Sequence, residues 1–383
     1  MSTFTPREEE LLLGRPVRPL LSGADRAARA GERCLVTGAG GTIGSELARQ
    51  IASCRPGLLT LVDHSEEHLF HIEREIAASF PGVPLDPVLA DVTRPTAIHL
   101  AFRRARPHVV FHAAAYKHVT MAERAACAAV RVNVLGAATV LAAARAGGAR
   151  FVLVSTDKAA APLSVMGATK RLAERVTLAA VTPGFRPIVV RFGNVLASSG
   201  SFVTIAEDCL RRGVAIPITD PDATRYFMTV SEASSLVMKA DAIAHGGETF
   251  WLDMGAAVRI GDLVERLLDV ARLRGVAPVP IDVIGLRAGE KRAEQLTTQG
   301  LALCRTDHPR IWMARQAPLS AELTDAAVQA LRRQVARGDG WSVLKTLTMA
   351  VPDYEPSLEA QAIARADRMH IQEDARIRRT RVA

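Results

Sequence analysis

The stretch STDKAAAPLSVMGATK, from Ser155 to Lys170, holds the side chains best suited to acid–base chemistry. An apolar run, FVLV, leads straight into Thr156, Asp157 and Lys158. A carboxylate beside an ammonium can exchange protons when burial and mutual charge pull both pKa values toward a useful range. Met166 follows, with Lys170 four residues later, one turn along a helical pattern. A thioether moves no protons, so Met166 reads as packing that lines a pocket beside the reacting groups. Alone, a Thr-Asp-Lys triplet at a strand end is also an ordinary surface turn. The reactive reading gains weight only from what surrounds it.

A second group of residues suits an anion. Gly38, Gly41 and Gly44 stand in TGAGGTIGSELARQI, with Thr42 and Ile43 between the last two. Glycines there allow a tight turn and let main-chain N–H groups approach a pyrophosphate at a helix start. Asp63 ends the next apolar run, nineteen residues after Gly44, followed by His64 and Ser65. A carboxylate at that place accepts hydrogen bonds from ribose hydroxyls and repels a 2′-phosphate, which favours NAD over NADP. Asp91 and Val92, then Ala113 and Ala114, follow later runs and complete the expected NAD-binding set, with Asp91 at the adenine edge. His64, His68 and His71 share a helical face at metal-compatible spacing, but no acidic ligand pattern accompanies them. They read as exposed histidines, and no metal is expected.

The elements that must hold these groups are legible in the rhythm of the chain. Short β-branched runs (CLVT, LLTLVD, VVFHAA, FVLVS, PIVVRF) alternate with helical segments as far as Phe192. Continuous apolar strands separated by amphipathic helices mean a parallel sheet covered on both faces. The fold class expected is α/β, a Rossmann-type doubly wound parallel sheet with a smaller C-terminal substrate-binding domain. Residues 1–30 read as an N-terminal arm and 31–193 as the NAD-binding domain. Residues 194–317 read as a mainly loop-rich, ligand-binding part laid over the carboxyl ends of the sheet, with some elements returning to the sheet, and 318–383 as a helical extension. The Ala-rich helices after the fourth and fifth strands could pair between subunits, so a homo-oligomer is expected.

Composition excludes several classes. Hydrophobic content of 49% and charge of 23% fit a globular chain. The five cysteines are scattered and form no CxxC pair, which suits a reducing, cytoplasmic setting. The net charge of +8 comes from dispersed arginines, so nucleic acid is not the expected partner. The basic tail ARIRRTRVA, Ala375 to Ala383, reads as a solvated end. No secretory signal opens the chain, and the most apolar stretch, Val132 to Ala149, is too interrupted for an integral membrane segment.

With these motifs in order, the chain resembles the extended short-chain dehydrogenase/reductases. More narrowly, LVDHSEEHLFHIE, FHAAAYKHV, STDKA, VMGATKR, RFGNVLASSGS, TRYFMT, LDMG and GLRAGEK resemble the polysaccharide-biosynthesis (CapD-like) UDP-N-acetylglucosamine 4,6-dehydratases, over roughly Glu10 to Arg310. LLLGRPV is similar to the segment that follows the membrane region of the longer members, so the chain reads as the soluble form. The resemblance implies NAD-dependent oxidation of a UDP-sugar at C4, loss of water across C5 and C6, and hydride return to C6. It implies that Met166 stands where most of the superfamily has a catalytic tyrosine, and that Thr156, Asp157 and Lys158 take over the proton transfers. Asp157 is then the acid for the C6 oxygen, Lys158 acts at C5, and Lys170 holds the nicotinamide ribose. Thr156, Asp157 or a water could accept the C4 proton. Lys117, Asn194, Ser199, Gly200 and Ser201 are implied as contacts to sugar or diphosphate. Arg225, Arg287, Glu290 and Lys291 are implied as the UDP clamp. Two other readings compete: an NAD-dependent nucleotide-sugar 4-epimerase, which needs no acid at C6, and a non-catalytic dinucleotide sensor.

Overall fold

The computed structural model describes residues 4–17, 21–295, 297, 301–315 and 320–382, with side chains described as far as residue 370. Side chains of the basic tail Ala375–Ala383 thus lie outside the described residues.

The apolar runs become strands because both of their faces are covered. In Arg33–Thr37, Leu58–Asp63, Val109–His112, Arg150–Thr156 and Ile188–Phe192 nearly every residue is buried. They form one nine-stranded sheet. From one edge its order is Cys304–Arg305, Ile311–Arg315, Glu248–Leu252, Ile188–Phe192, Arg150–Thr156, Val109–His112, Arg33–Thr37, Leu58–Asp63 and Leu85–Leu89. The seven strands from Glu248–Leu252 onward pair in parallel, and the two at the far edge antiparallel. Strand order reverses between Arg33–Thr37 and Val109–His112, which opens a crevice at their carboxyl ends. This is the doubly wound Rossmann arrangement expected of the sequence.

Helices cover both faces. Thr42–Ser53 buries Leu47, Ala48, Ile51 and Ala52 and packs beside Val230–Ile243. On the opposite face lie Pro95–Ala105, the helix running through Ala126–Ala146, and Val165–Ala179. Ala126–Ala146 is long and apolar enough to cross a membrane, but 67% of its most apolar window is buried inside the protein. The helix runs without the interruption that the sequence pattern suggested; one turn, Arg131–Gly136, is a π-helix that absorbs the irregularity.

Residues 194–317 divide their elements between two places. Glu248–Leu252 and Ile311–Arg315 extend the main sheet. Phe202–Arg212 and Ile260–Leu273 build a separate apolar cluster with Leu12, Leu13, Ile216 and Ile218. The described residues of the N-terminal arm are tied to the rest of the chain at several points. Thr5 caps the helix Pro6–Leu13, Glu8 pairs with Arg274, Arg15 with Glu232, and Arg29 with Asp241.

The helices Ala321–Ala336 and Gly340–Ala350 pack onto Ala126–Val130, Arg131–Gly136 and Val165–Ala179. Leu331, Val335, Val343, Leu344 and Leu347 share one core with Val134, Leu172 and Val176. The Ala-rich face expected to pair two subunits is therefore covered within the chain.

Candidate active site

A buried ion pair fixes the floor of the site. Arg191, on Ile188–Phe192, donates its Nε to Glu174 Oε1 at 2.7 Å, and Ser155 Oγ donates to the same oxygen at 2.6 Å. Both side chains of the pair are fully buried. Two strands are thereby locked to the helix Val165–Ala179, which carries Lys170. Removing one partner of such a pair leaves an uncompensated charge and costs about 3–5 kcal/mol.

On that floor the strand Arg150–Thr156 ends in a 3₁₀ turn, Asp157–Ala159. The turn bends the chain so that Asp157 and Lys158 converge instead of pointing to opposite faces. Lys158 Nζ donates to Asp157 Oδ1 and to Asn194 Oδ1, each at 3.0 Å, and lies 3.4 Å from Glu294 Oε1. Thr156 Oγ1 also donates to Asp157 Oδ1, at 2.9 Å. Asp157 is 1% exposed, yet its Oδ2 has no hydrogen-bond partner. Burial opposes the charge on Lys158; Asp157 and Glu294 outweigh it and hold its pKa above the ordinary lysine value. The resting site therefore contains a lysine ammonium beside an Asp157 side chain with one oxygen free.

Lys170 lies below this pair. Its Nζ donates to the Val154 carbonyl at 2.6 Å, and burial pulls its pKa down to about 8 against the opposing pull of Glu174. His112, hydrogen-bonded to Thr37 Oγ1 at 2.7 Å, is kept neutral by burial and by Lys170. Met166 is 4% exposed and packs in the core with Val165 and Leu172. It is not among the residues that line the two clefts described below.

One cleft opens at the strand-order reversal. Gly38, Gly41, Asp63, His64, Asp91, Val92, Ala113 and Ala114 line it, with His68 and Tyr116. Its fit to a dinucleotide can be tested on the backbone. A Cβ on Gly44 would stand 1.9 Å from the Gly38 carbonyl oxygen; one on Gly38, whose φ is +67°, would stand 2.8 Å from Ala114 Cα. Only glycines permit this close turn. Thr42 and Ile43 begin the helix Thr42–Ser53, whose N-cap, Gly41, supplies no side-chain acceptor, so its first N–H groups remain available for a pyrophosphate. Asp63 accepts from the Gly40 and Ser65 N–H groups, each at 2.9 Å, and keeps lone pairs for ribose hydroxyls. These residues fit NAD: the glycine turn would hold the pyrophosphate and Asp63 the adenosine ribose.

A second cleft adjoins the Asp157–Lys158 pair. Val119, Lys158, Leu163, Ser164, Asn194, Arg225, Gly289, Glu290, Lys291 and Glu294 line it. Arg225 donates to the main-chain oxygens of Thr224, Lys291 and Arg292, and so braces the GLRAGEKR segment. Arg287 and Glu290 bond each other, with Nη2 to Oε1 at 2.6 Å, and Arg287 faces solvent rather than the cleft. Lys117 reaches Ser198 Oγ at 3.1 Å. Ser199, Gly200 and Ser201 form a turn tied to the first cleft: the Ser199 N–H donates to Thr42 Oγ1 at 3.1 Å. Gly200, at φ +63°, lies against the His118 ring, which a Cβ would meet at 2.6 Å.

Three positioning residues escape sequence reasoning. Glu294 is 8% exposed and faces Lys158, Lys291 and Arg225. Asn133, in the π-helical turn, accepts from the Tyr116 N–H at 2.7 Å and donates to its carbonyl at 2.9 Å, which fixes the segment bearing Lys117. Glu123 accepts from the Val165 N–H and from Ser357 Oγ, each at 2.6 Å, joining the C-terminal extension to the start of the Lys170 helix. One signal was available in the composition. The chain has six lysines against forty-two arginines, and four of the six (Lys117, Lys158, Lys170 and Lys291) belong to this site.

The model of the polysaccharide biosynthesis protein family matches residues 34–316, which span both clefts. The chain belongs to this family. Within it, the capsular polysaccharide biosynthesis protein CapD of Staphylococcus aureus is 41% identical over 295 residues, covering 76% of this chain and 49% of CapD. This family member spans about half the length of the curated relatives it matches first. Among solved structures, Pen from Bacillus thuringiensis aligns with a TM-score of 0.68 and 28% identity, over 79% of this chain and 98% of Pen. UDP-glucose 4-epimerase of Thermus thermophilus, solved with NAD, aligns with a TM-score of 0.57 and 21% identity over 69% of this chain and 90% of that one; it shares the fold.

Proposed function

We propose that the protein is an NAD-dependent UDP-N-acetylglucosamine 4,6-dehydratase that makes a UDP-4-keto-6-deoxy-N-acetylhexosamine for glycan synthesis in the cytoplasm. The observation that carries this reading is the Asp157–Lys158 pair, in which the buried Asp157 keeps a free side-chain oxygen, beside a cleft rich in cations and without a tyrosine among its lining residues. An epimerase needs a group for the C4 proton only; this site holds acid–base capacity beyond that. NAD, bound in the first cleft, would supply the hydride acceptor and donor at C4 and C6.

The remaining work belongs to this chain's residues. Lys291 and Arg225 draw the diphosphate into the second cleft, where Lys117, Asn194 and the Ser199–Ser201 turn border the sugar. Arg287 and Glu290 must part to reach a uridine, because each now satisfies the other. Lys170 holds the nicotinamide ribose over the strand end. Asp157 Oδ2 delivers a proton to the departing C6 oxygen. Lys158 takes the C5 proton, which requires it first to give up the proton that Asp157 and Glu294 stabilise. Thr156, hydrogen-bonded to Asp157, relays the C4 hydroxyl proton toward that carboxylate. Met166, packed below, keeps water away from the Lys170 side.

The test is incubation with UDP-N-acetylglucosamine in D₂O, followed by NMR. Loss of the C6 hydroxymethyl signals with deuterium at C5 is the expected result. Untouched substrate sinks the proposal, and interconversion at C4 with C6 intact assigns the site to an epimerase.

A further inference from the structure

Glu294 is a charged residue that the proposed chemistry leaves without a role. It lies just beyond the GLRAGEK motif, three residues after Lys291, and is nearly buried. Its two oxygens face different cations. Oε1 stands 3.4 Å from Lys158 Nζ and 4.0 Å from Arg225 Nε; Oε2 stands 3.3 Å from Lys291 Nζ. Neither Oε2 nor Lys291 Nζ completes a hydrogen bond, although both are shielded from solvent. A carboxylate buried at such cost persists where surrounding charge requires it. The other groups facing Lys158 are Asp157 at the strand end, the neutral Asn194 amide, and the cations Lys117, Arg225 and Lys291. Three cations converge on Lys158 from separate segments; Asp157 and Glu294 are the carboxylates that reach it, while Glu290, which lines the same cleft, is taken up by Arg287.

We propose that Glu294 is a positioning residue that divides its carboxylate between Lys158 and Lys291, holding the reacting lysine against Asp157 and setting the pH at which it loses its proton. The function of Glu294 in turnover rests on the reading of Lys158 as the C5 base; its electrostatic hold on Lys158 does not. Substitution acts through geometry: a glutamine keeps the shape and removes the charge, and an aspartate keeps the charge one carbon further from both lysines. Lys291 competes for the same carboxylate, so removing it leaves Glu294 to Lys158 and the more distant Arg225.

With six lysines in the chain, the Lys158 side-chain resonance of lysine-¹³C-labelled protein can be assigned by Lys158→Arg and titrated directly. Glu294→Gln is expected to lower the Lys158 midpoint by about one pH unit or more, and Glu294→Asp to restore part of it. Lys291→Met is expected to move the midpoint upward, which keeps the test open should Glu294→Gln fail to fold. An unchanged midpoint in folded Glu294→Gln, or in Lys291→Met, overturns the proposal. Turnover is followed beside the titration: the pH at which the rate rises moves down with the midpoint in Glu294→Gln. If the wild-type protein leaves UDP-N-acetylglucosamine untouched while the midpoint shifts, the dehydratase reading fails and the placement of Glu294 stands.

Discussion

Replacing Lys170 with methionine should stabilise the protein while abolishing its activity. Lys170 is 6% exposed, and burial lowers its pKa from 10.5 to about 8. A difference of one pH unit between folded and unfolded midpoints corresponds to about 1.4 kcal/mol, so carrying this charge at pH 7 costs roughly 3 kcal/mol relative to a solvated lysine. Methionine fills a similar volume without charge, but it forfeits the bond to the Val154 carbonyl and leaves that oxygen unpaired, together about 2 kcal/mol. The expected balance is a gain of roughly 1 kcal/mol at pH 7. The pH dependence is more telling than the balance. Between the folded value, about 8, and the unfolded value, 10.5, the unfolded chain binds a proton at Lys170 that the native protein does not. Wild-type stability should therefore rise with pH across that window, by up to about 1.4 kcal/mol per pH unit from this group, and the variant should lack that increment. Urea unfolding followed by circular dichroism at pH 7.5, 8.5 and 9.5 measures the difference. If the two proteins keep a constant gap over this range, or the variant is weaker by more than about 2 kcal/mol at pH 7, Lys170 is a structural strut and the reasoning fails.

Asp157→Asn should cut turnover of UDP-N-acetylglucosamine by about 100-fold or more, with UDP affinity by calorimetry nearly unchanged; wild-type rates would remove Asp157 from the chemistry. Gly44→Ala places a Cβ 1.9 Å from the Gly38 carbonyl oxygen, so NAD binding followed by fluorescence quenching should be lost, and retained affinity would mean the dinucleotide lies elsewhere. Deleting residues 320–383 uncovers the apolar face that Leu331, Val335, Val343 and Leu347 now bury. Light scattering should then report self-association or precipitation, and a well-behaved monomer would show that the face is not adhesive.

Much of this architecture was readable because it depends on local pattern. Unbroken apolar runs such as LLTLVD and FVLVS specify buried parallel strands wherever they fall, and the glycine turn announces its own backbone. Lys158 and Asp157 could be named as a pair because they are adjacent in the chain. What could not be read is what depends on distant partners. Glu294 lies 136 positions after Lys158 and meets it only across a folded cleft. The state of Lys158 depends in part on that meeting: against burial, Asp157 and then Glu294 hold it as the ammonium. The Ala-rich helix face was correctly seen as apolar, but apolarity does not say what covers it. Here Gly340–Ala350 and Ala321–Ala336 do. Arg287 and Glu290, three residues apart, bond each other in the structure, a pairing that their implied role toward a ligand did not announce.

The covering of that face by the chain's own C-terminal helices bears on how the site behaves on dilution. Where a second subunit buries an apolar face, stability follows protomer concentration, and the site loosens as the assembly falls apart. A cover tethered through the polypeptide is present at an effective concentration that dilution does not alter. The Ser357–Glu123–Val165 connection delivers that cover to the first turn of the helix that holds Lys170. The contacts that brace the start of the Lys170 helix are thus made within one polypeptide, and dilution alone does not remove them.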